Sequence, residues 1–161
     1  MTTNARLHQI NVSHSGPEDR LLLKISTNTG EEYRLWLTRR YTGLLLSVLN
    51  KEIDNRGGAP TVGGSEETTK MIKNGALEKK YEPQNAATYP LGENGALAFR
   101  INARNIENDV LMLELLPEKG KGITLNLGKS LLYMFHSILT QGVSQANWAL
   151  QTETHSSSQI H

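Results

Sequence analysis

The sequence predicts an α+β protein made of two pseudo-symmetric βββα halves with antiparallel sheets and two helices packed on them. Two observations carry this prediction. Shifted by 90 residues, the chain matches itself, so that residues 19–49 align with 109–139 without a gap. In both stretches, a strand-like alternation of apolar residues gives way to the spacing of an amphipathic helix. About 45 ordered residues per half are near the lower limit for a core that is stable alone, so we expect the halves to pair.

Within these two stretches, eight positions are identical at this offset. In the first stretch they are Asp19, Leu21, Leu23, Gly30, Leu35, Leu37, Ser47 and Leu49, and in the second Asp109, Leu111, Leu113, Gly120, Leu125, Leu127, Ser137 and Leu139. Any two amphipathic segments in phase share leucines, so the aspartate and glycine pairs weigh more. The alternative is a coincidence of pattern.

The first half is predicted to hold three strands, at residues 7–12, 20–25 and 32–37. Residues 20–25 place Leu21, Leu23 and Ile25 on one side, which is typical of a strand with one buried face. Gly30 lies in the short connection to the third strand, where a hairpin turn needs a residue with positive φ. After the third strand the period changes, and apolar residues from Tyr41 to Ile53 follow helical spacing, with Thr38 as the N-cap.

The second half repeats this order, with strands predicted at residues 97–103, 110–115 and 122–127. In the first of these we expect one inward phase, formed by Leu97, Phe99, Ile101 and Ala103. A helix is predicted from Leu131 to Leu139, with Gly128 as a weaker N-cap. Every connection within a half is too short for a parallel crossover, so antiparallel pairing is expected there.

Composition divides the chain into four segments. Residues 1–53 form the first half, and residues 54–93 form a linker rich in glycine and polar residues, which we expect to be mobile. Residues 94–150 form the second half. Residues 151–161 are polar and rich in serine, which is typical of a disordered tail.

Net charge and cysteine content limit the function. Seventeen Lys and Arg against sixteen Asp and Glu give a net charge of +1, so no overall field attracts nucleic acid or an anionic membrane. The chain has no cysteine, which removes disulfides and thiolate metal sites and is compatible with a reducing compartment. No apolar run approaches the length of a membrane span. We therefore expect a cytoplasmic protein that does not bind membranes.

Catalytic motifs are weak, and we expect neither an enzyme, nor a cofactor, nor a metal site. The string from Leu127 to Ser130 resembles the end of a phosphate-binding loop, but Ile123 stands where that motif needs its first glycine. The five histidines show no spacing typical of metal ligands with acidic neighbours; they are His8, His14, His136, His155 and His161.

Basic residues stand where both predicted helices begin. Arg39, Arg40 and Lys129 lie in the first turns, where a cation faces the positive end of the helix dipole. One interpretation is a pair of anion-binding spots that use free N–H groups. The alternative is that the arginines reach Glu31, Glu32 or Glu52, or lie over apolar surface.

The outward side of the predicted sheets carries further basic residues around a tryptophan. These are Lys24, Arg34 and Trp36 in the first half, and Arg100 and Arg104 in the second. Cations around an exposed aromatic ring are typical of platforms for single-stranded nucleic acid. The alternative is that the other half, the linker or a second subunit covers Trp36.

The leading functional hypothesis is a non-enzymatic interaction module that binds a protein partner or itself. Open sheets leave unpaired edges, which favours self-association and most simply a homodimer. The second hypothesis is the binding of single-stranded nucleic acid or another anion through the basic helix starts and the face with Trp36.

Overall fold

The computed structural model describes residues 7–58 and 86–150. Its strands are β1 (Leu7–Ser15), β2 (Arg20–Thr27), β3 (Glu32–Leu37), β4 (Ala96–Ile106), β5 (Val110–Pro117) and β6 (Ile123–Leu127). Helix α1 (Arg39–Asn55) follows β3, and helix α2 (Lys129–Ala146) follows β6. A tight turn, Glu107–Asp109, joins β4 to β5, with positive φ at Asn108 and Asp109. The α+β class is confirmed.

All six strands belong to one mixed sheet, in the order β1-β2-β3-β4-β5-β6. Neighbouring strands are antiparallel except at the centre, where β3 and β4 run parallel, with Leu35 opposite Ala96 and Trp36 opposite Leu97. The prediction of antiparallel sheets therefore holds within each group of three strands, and the junction between the groups differs from it. Helix α1 and the long segment after it form a connection of the length that a parallel crossover requires.

The core lies on one face of this sheet, beneath both helices. Alternate residues of β2 and β5 are fully buried, among them Leu21, Leu23, Leu111 and Leu113. The helices supply apolar side chains such as Leu45, Leu49, Phe135 and Leu139, which belong to the same buried cluster. They also contact each other, since Nε2 of His136 lies 2.7 Å from Oδ1 of Asn50. Both groups of strands thus share one core.

The prediction that Leu97 and Phe99 of β4 point toward the core is wrong. Ala98 is buried, whereas Leu97 and Phe99 are 46% and 59% exposed. A register shift between Ala98 and Arg100 marks a β-bulge, which makes two residues of β4 oppose one of β5 and so reverses the phase. Beyond the bulge, Ile101 is packed against the core as predicted, whereas Ala103 is exposed although it lies opposite the buried Leu113.

The aspartate and glycine pairs of the 90-residue offset share unusual backbone conformations. Asp19 and Asp109 both have positive φ, at 53° and 59°. Gly30 and Gly120 have φ of 88° and 91°, the region that favours glycine. The offset therefore matches turn geometry as well as residue type. The duplication itself stays a prediction.

Two networks fasten the helix ends to hairpin turns. The Arg56 guanidinium, just after α1, donates to the Glu52 carboxylate at 2.9 Å and to the Asp109 carbonyl at 3.1 Å, at the turn between β4 and β5. After α2, the Trp148 indole donates to the Asp19 carboxylate at 2.9 Å, at the turn between β1 and β2. Each helix therefore ends against a turn of the other group of strands.

Part of the predicted linker lies along β3. The Ala87 amide donates to the Gly30 carbonyl at 2.8 Å, and the Glu32 amide donates to the Thr88 carbonyl at 3.1 Å. Residues 59–85 of that linker and the predicted tail, 151–161, lie outside the described residues. Within the described ranges, neither helix is long and apolar enough to cross a membrane.

Candidate functional site: the outer face of the sheet

The candidate site is the outer face, which we define as the surface of the sheet opposite the buried core. Cross-strand register assigns residues to it, because directly opposed residues point to the same side. Leu22 lies opposite Trp36, and Lys24 lies opposite Arg34. On β4 and β5 the outer face includes Leu97, Arg100, Arg104 and Met112. The structure thus brings all five outward residues predicted from the sequence, Lys24, Arg34, Trp36, Arg100 and Arg104, onto one surface.

An apolar patch marks the centre of this face, where β3 meets β4. It consists of Trp36, Leu97 and Phe99, with Leu97 directly opposite Trp36 in the register. Among the described residues Phe99 is the most exposed large apolar side chain, because the bulge in β4 turns it away from the core. Exposed apolar patches mark interaction sites more often than single exposed side chains do.

Trp36 is fixed in place by two contacts. Its indole N–H donates to the Asn94 carbonyl at 2.9 Å. The Arg20 guanidinium lies 4.6 Å from the ring centroid, in cation–π geometry, and also pairs with Glu18. The segment before β4 and a basic side chain therefore cover part of the ring, which leaves Phe99 as the freer aromatic surface.

Arg34 connects β3 to the segment that precedes β4. Its guanidinium donates to the Glu32 carboxylate at 2.5 Å and to the Glu93 carbonyl at 2.6 Å. It also lies 4.6 Å from the centroid of the Tyr89 ring. These contacts hold residues 89–93 against β3. The Arg34 guanidinium is therefore already paired within the protein.

Arg100 and Arg104 are exposed cations on β4. The Arg100 side chain donates to the Pro117 carbonyl at 3.3 Å, and the Arg104 guanidinium lies 4.0 Å from the Met112 sulfur. In the described part of the chain, neither arginine pairs with a carboxylate. A depression of about 450 Å³ on this part of the outer face is lined by Asn102, Ala103, Arg104, Met112 and Glu114.

The basic residues at the helix starts lie apart from this surface. Arg39, Arg40 and Lys129 are exposed, and the Lys129 ammonium lies 6.0 Å from the Tyr133 ring centroid. At α1 the Thr38 side chain accepts the Tyr41 amide at 3.1 Å, so one N–H of the first turn is already occupied. Of the glutamates expected to reach the arginines, Glu32 binds Arg34 and Glu52 binds Arg56.

The sequence reasoning missed Phe99, Leu97 and Arg20 as residues of the outer face. Strict alternation placed the first two inward, and nothing in the local sequence marks the bulge. Next to the bulge, the Arg100 carbonyl accepts a hydrogen bond from the Tyr41 hydroxyl at 2.9 Å, a contact between residues far apart in the sequence. The basic and aromatic composition of the face was visible in the sequence, while its apolar centre lies at a bulge that no local pattern marks.

A second cavity, of about 400 Å³, opens between the β2–β3 turn and the start of β6. It is lined by Glu31, Tyr33 and Lys121 above an apolar floor that includes Ile25 and Ile123. Burial and the neighbouring Glu31 carboxylate raise the pKa of Tyr33 above its ordinary value. Within residues 7–58 and 86–150, no group of three or more His, Asp or Glu side chains is placed to hold a metal ion.

Neither the known protein families, nor the curated proteins, nor the solved structures include a match to this chain.

Proposed function

We propose that the protein is a non-enzymatic interaction module that binds a polyanionic partner through its outer face. The observation that carries the proposal is the apolar patch, in which the exposed Leu97 and Phe99 lie beside the half-buried Trp36, with Arg100 and Arg104 on β4, the strand of Leu97 and Phe99. The absence of cysteine fits a reducing compartment, and we propose the cytoplasm as its location.

Charge favours an anionic partner over a second copy of the same face. In a symmetric dimer, each patch contacts the identical patch of the partner. On β4 and β5 this face carries Arg100 and Arg104 against Glu114, so two copies of it would bring an excess of positive charge together, and like-charge contacts across an interface are costly. An anionic polymer satisfies the same arginines and is attracted by them.

Heparin retention tests this proposal, because heparin is a polyanion without bases. We expect the R100S/R104S variant to elute from immobilised heparin at a clearly lower salt concentration than the wild type. The matched control is K51S/K119S, which removes two exposed lysines from α1 and the β5–β6 turn and changes net charge equally. An equal shift in both variants, or a wild type that heparin does not retain, would contradict the proposal.

Self-association is a second candidate function, and the edges of the sheet favour it. In the described structure, β1 and β6 each pair on one side only. β1 contains no Lys, Arg, Asp, Glu or Pro, the residues that commonly protect an edge strand. We propose that β1 pairs with β1 of a second copy to form a homodimer.

Light scattering at two salt concentrations tests the homodimer. Ser13 is exposed near the middle of β1, and we expect S13K to reduce a dimeric mass to that of the monomer. The control is S144K on the exposed side of α2, which is expected to leave the mass unchanged. A monomeric wild type at both salt concentrations would exclude this candidate.

We also propose that the chain arose by duplication of a βββα unit and that the halves are related by a pseudo-two-fold axis. Three features support it: bulges near the starts of both β1 and β4, positive φ at Asp19 and Asp109, and helices that each end against a turn of the other half. The exposed phenyl ring of Phe99 at the second bulge corresponds to the exposed imidazole of His8 at the first. The two halves therefore differ at the site proposed to bind.

A further inference from the structure

We infer that the polyanion bound by the outer face is single-stranded nucleic acid, and that a base stacks on Phe99. This inference rests on the proposed function and names the substrate class for the same surface. It starts from a feature that charge alone leaves unexplained: at 59% exposure, Phe99 presents much of its ring to water. A partner that offered only negative charge would leave this ring in water.

The bulge in β4 places the ring beside the cations. Phe99 is the residue at the register shift between Ala98 and Arg100, so its aromatic ring belongs to the residue immediately before Arg100 on the strand. Arg104 lies further along the same strand, opposite Met112. A strand that offers an aromatic ring and then two arginines matches a ligand with alternating bases and phosphates. Base stacking on aromatic side chains and basic contacts to phosphates are the two parts of single-strand recognition.

Trp36 extends this surface toward the first half of the chain. Leu97 lies directly opposite Trp36, so the apolar patch is continuous across β3 and β4. The Arg20 guanidinium already stacks on the indole at 4.6 Å, and a guanidinium plane is itself a stacking surface for bases. A base next to the one on Phe99 therefore meets the edge of Trp36 or the plane of Arg20.

A duplex does not offer the same contacts. Its bases are stacked inside the helix, and turning one outward costs a few kcal/mol. Single strands present their bases freely, so an exposed aromatic on an open sheet selects for them. The rest of the outer face agrees with weak sequence preference, because stacking accepts every base.

The test measures binding of a fluorescently labelled 15-mer oligothymidine by anisotropy, alongside heparin retention. We expect F99A to weaken oligothymidine binding about tenfold, the loss typical of one stacked base, and to leave heparin retention unchanged. F99W restores stacking and is expected to restore binding. L44A is the matched control, since Leu44 is similarly exposed on α1 and lies away from the outer face.

Salt dependence separates the arginines from the aromatic ring. R100S/R104S is expected to reduce the slope of log K against log salt by about 1.4, because each contact to a single strand contributes about 0.7. F99A is expected to leave that slope unchanged.

An unlabelled 15-base-pair duplex is expected to compete less well than the unlabelled single strand.

Each result decides a different point. If heparin and oligothymidine both bind and F99A weakens neither, or if the duplex competes equally well, the stacking inference is wrong and the polyanion module stands. If heparin does not retain the wild type, the proposed function fails as well. If oligothymidine does not bind and F99A instead lowers the mass seen by light scattering, the patch is a protein interface and the inference is overturned.

Discussion

Replacement of Gly122 by alanine is expected to destabilise the protein by about 3 kcal/mol, at the upper end of the usual cost of overpacking. A Cβ at this position would lie 1.9 Å from the carbonyl oxygen of Leu115 and 2.8 Å from the Cα of Leu116. Both atoms belong to the backbone of β5, which is held between β4 and β6. Relief of the clash therefore requires β6 to move away from β5. Urea unfolding measures the effect as a lower midpoint.

The control for this prediction is Gly16→Ala in the turn between β1 and β2. A Cβ there meets no atom within 4 Å, and Gly16 does not have positive φ. We expect its unfolding free energy to change by less than about 0.5 kcal/mol. Equal stability of G122A and the wild type would show that β6 does not approach β5 as closely as the structure describes.

The sequence was sufficient to predict most of the secondary structure, because short-range periodicity determines it. Alternation identified β2, β3, β5 and β6, and helical spacing identified both helices. The glycine in each β-hairpin turn was also readable, since positive φ at Gly30 and Gly120 is a local requirement. Thr38 was predicted as the N-cap of α1, and its side chain accepts the Tyr41 amide.

The sheet junction was beyond prediction, because it depends on contacts far apart in the chain. The parallel pairing of β3 with β4 involves only two residue pairs, Leu35 with Ala96 and Trp36 with Leu97, and no periodicity in the sequence predicts it. Residues 86–93 are predicted to belong to the linker, and Asn94 to the second half. In the structure the Glu93 and Asn94 carbonyls accept hydrogen bonds from Arg34 and Trp36 of β3. Cover of Trp36 by the linker or the other half was an alternative that the sequence left open.

The candidate site combines a predictable part with an unpredictable one. The outward phase of Lys24, Arg34, Arg100 and Arg104 follows from alternation, and the structure places all four on one face. The exposure of Phe99 follows from a bulge next to the carbonyl that Tyr41 binds, which is a tertiary event. Alternation therefore predicted which face of the sheet carries the charged residues. Only the fold shows that the exposed Phe99 ring lies on that face beside them.

Replacement of Trp148 by alanine is expected to cost about 3 to 5 kcal/mol of stability, the range for removing a large buried aromatic side chain. Trp148 is only 7% exposed and follows Asn147, whose left-handed backbone ends α2. Its indole N–H donates to the Asp19 carboxylate at 2.9 Å, and its ring meets the His14 ring edge-on at 6.0 Å. The residue therefore fastens the end of the described chain to the first hairpin.

Two further substitutions separate burial from hydrogen bonding at Trp148. W148F keeps most of the packing and removes the indole donor, so we expect a loss of about 1 kcal/mol, the usual net value of one hydrogen bond. The second tryptophan provides the matched control, because Trp36 is partly exposed on the outer face, and W36A is expected to cost clearly less than W148A. Equal losses in W36A and W148A would contradict a special role for the buried ring.

The pH dependence of stability provides an independent check of this contact. Hydrogen bonds from His14 and then Trp148 lower the pKa of Asp19 below its ordinary value of 3.8. A lowered folded-state pKa stabilises the protein above that ordinary value, and the stabilisation is lost as the pH falls through the lowered pKa. W148F removes one of the two donors, so its stability is expected to fall less steeply below pH 4 than that of the wild type. Parallel acid profiles for the two proteins would show that the indole does not bind this carboxylate.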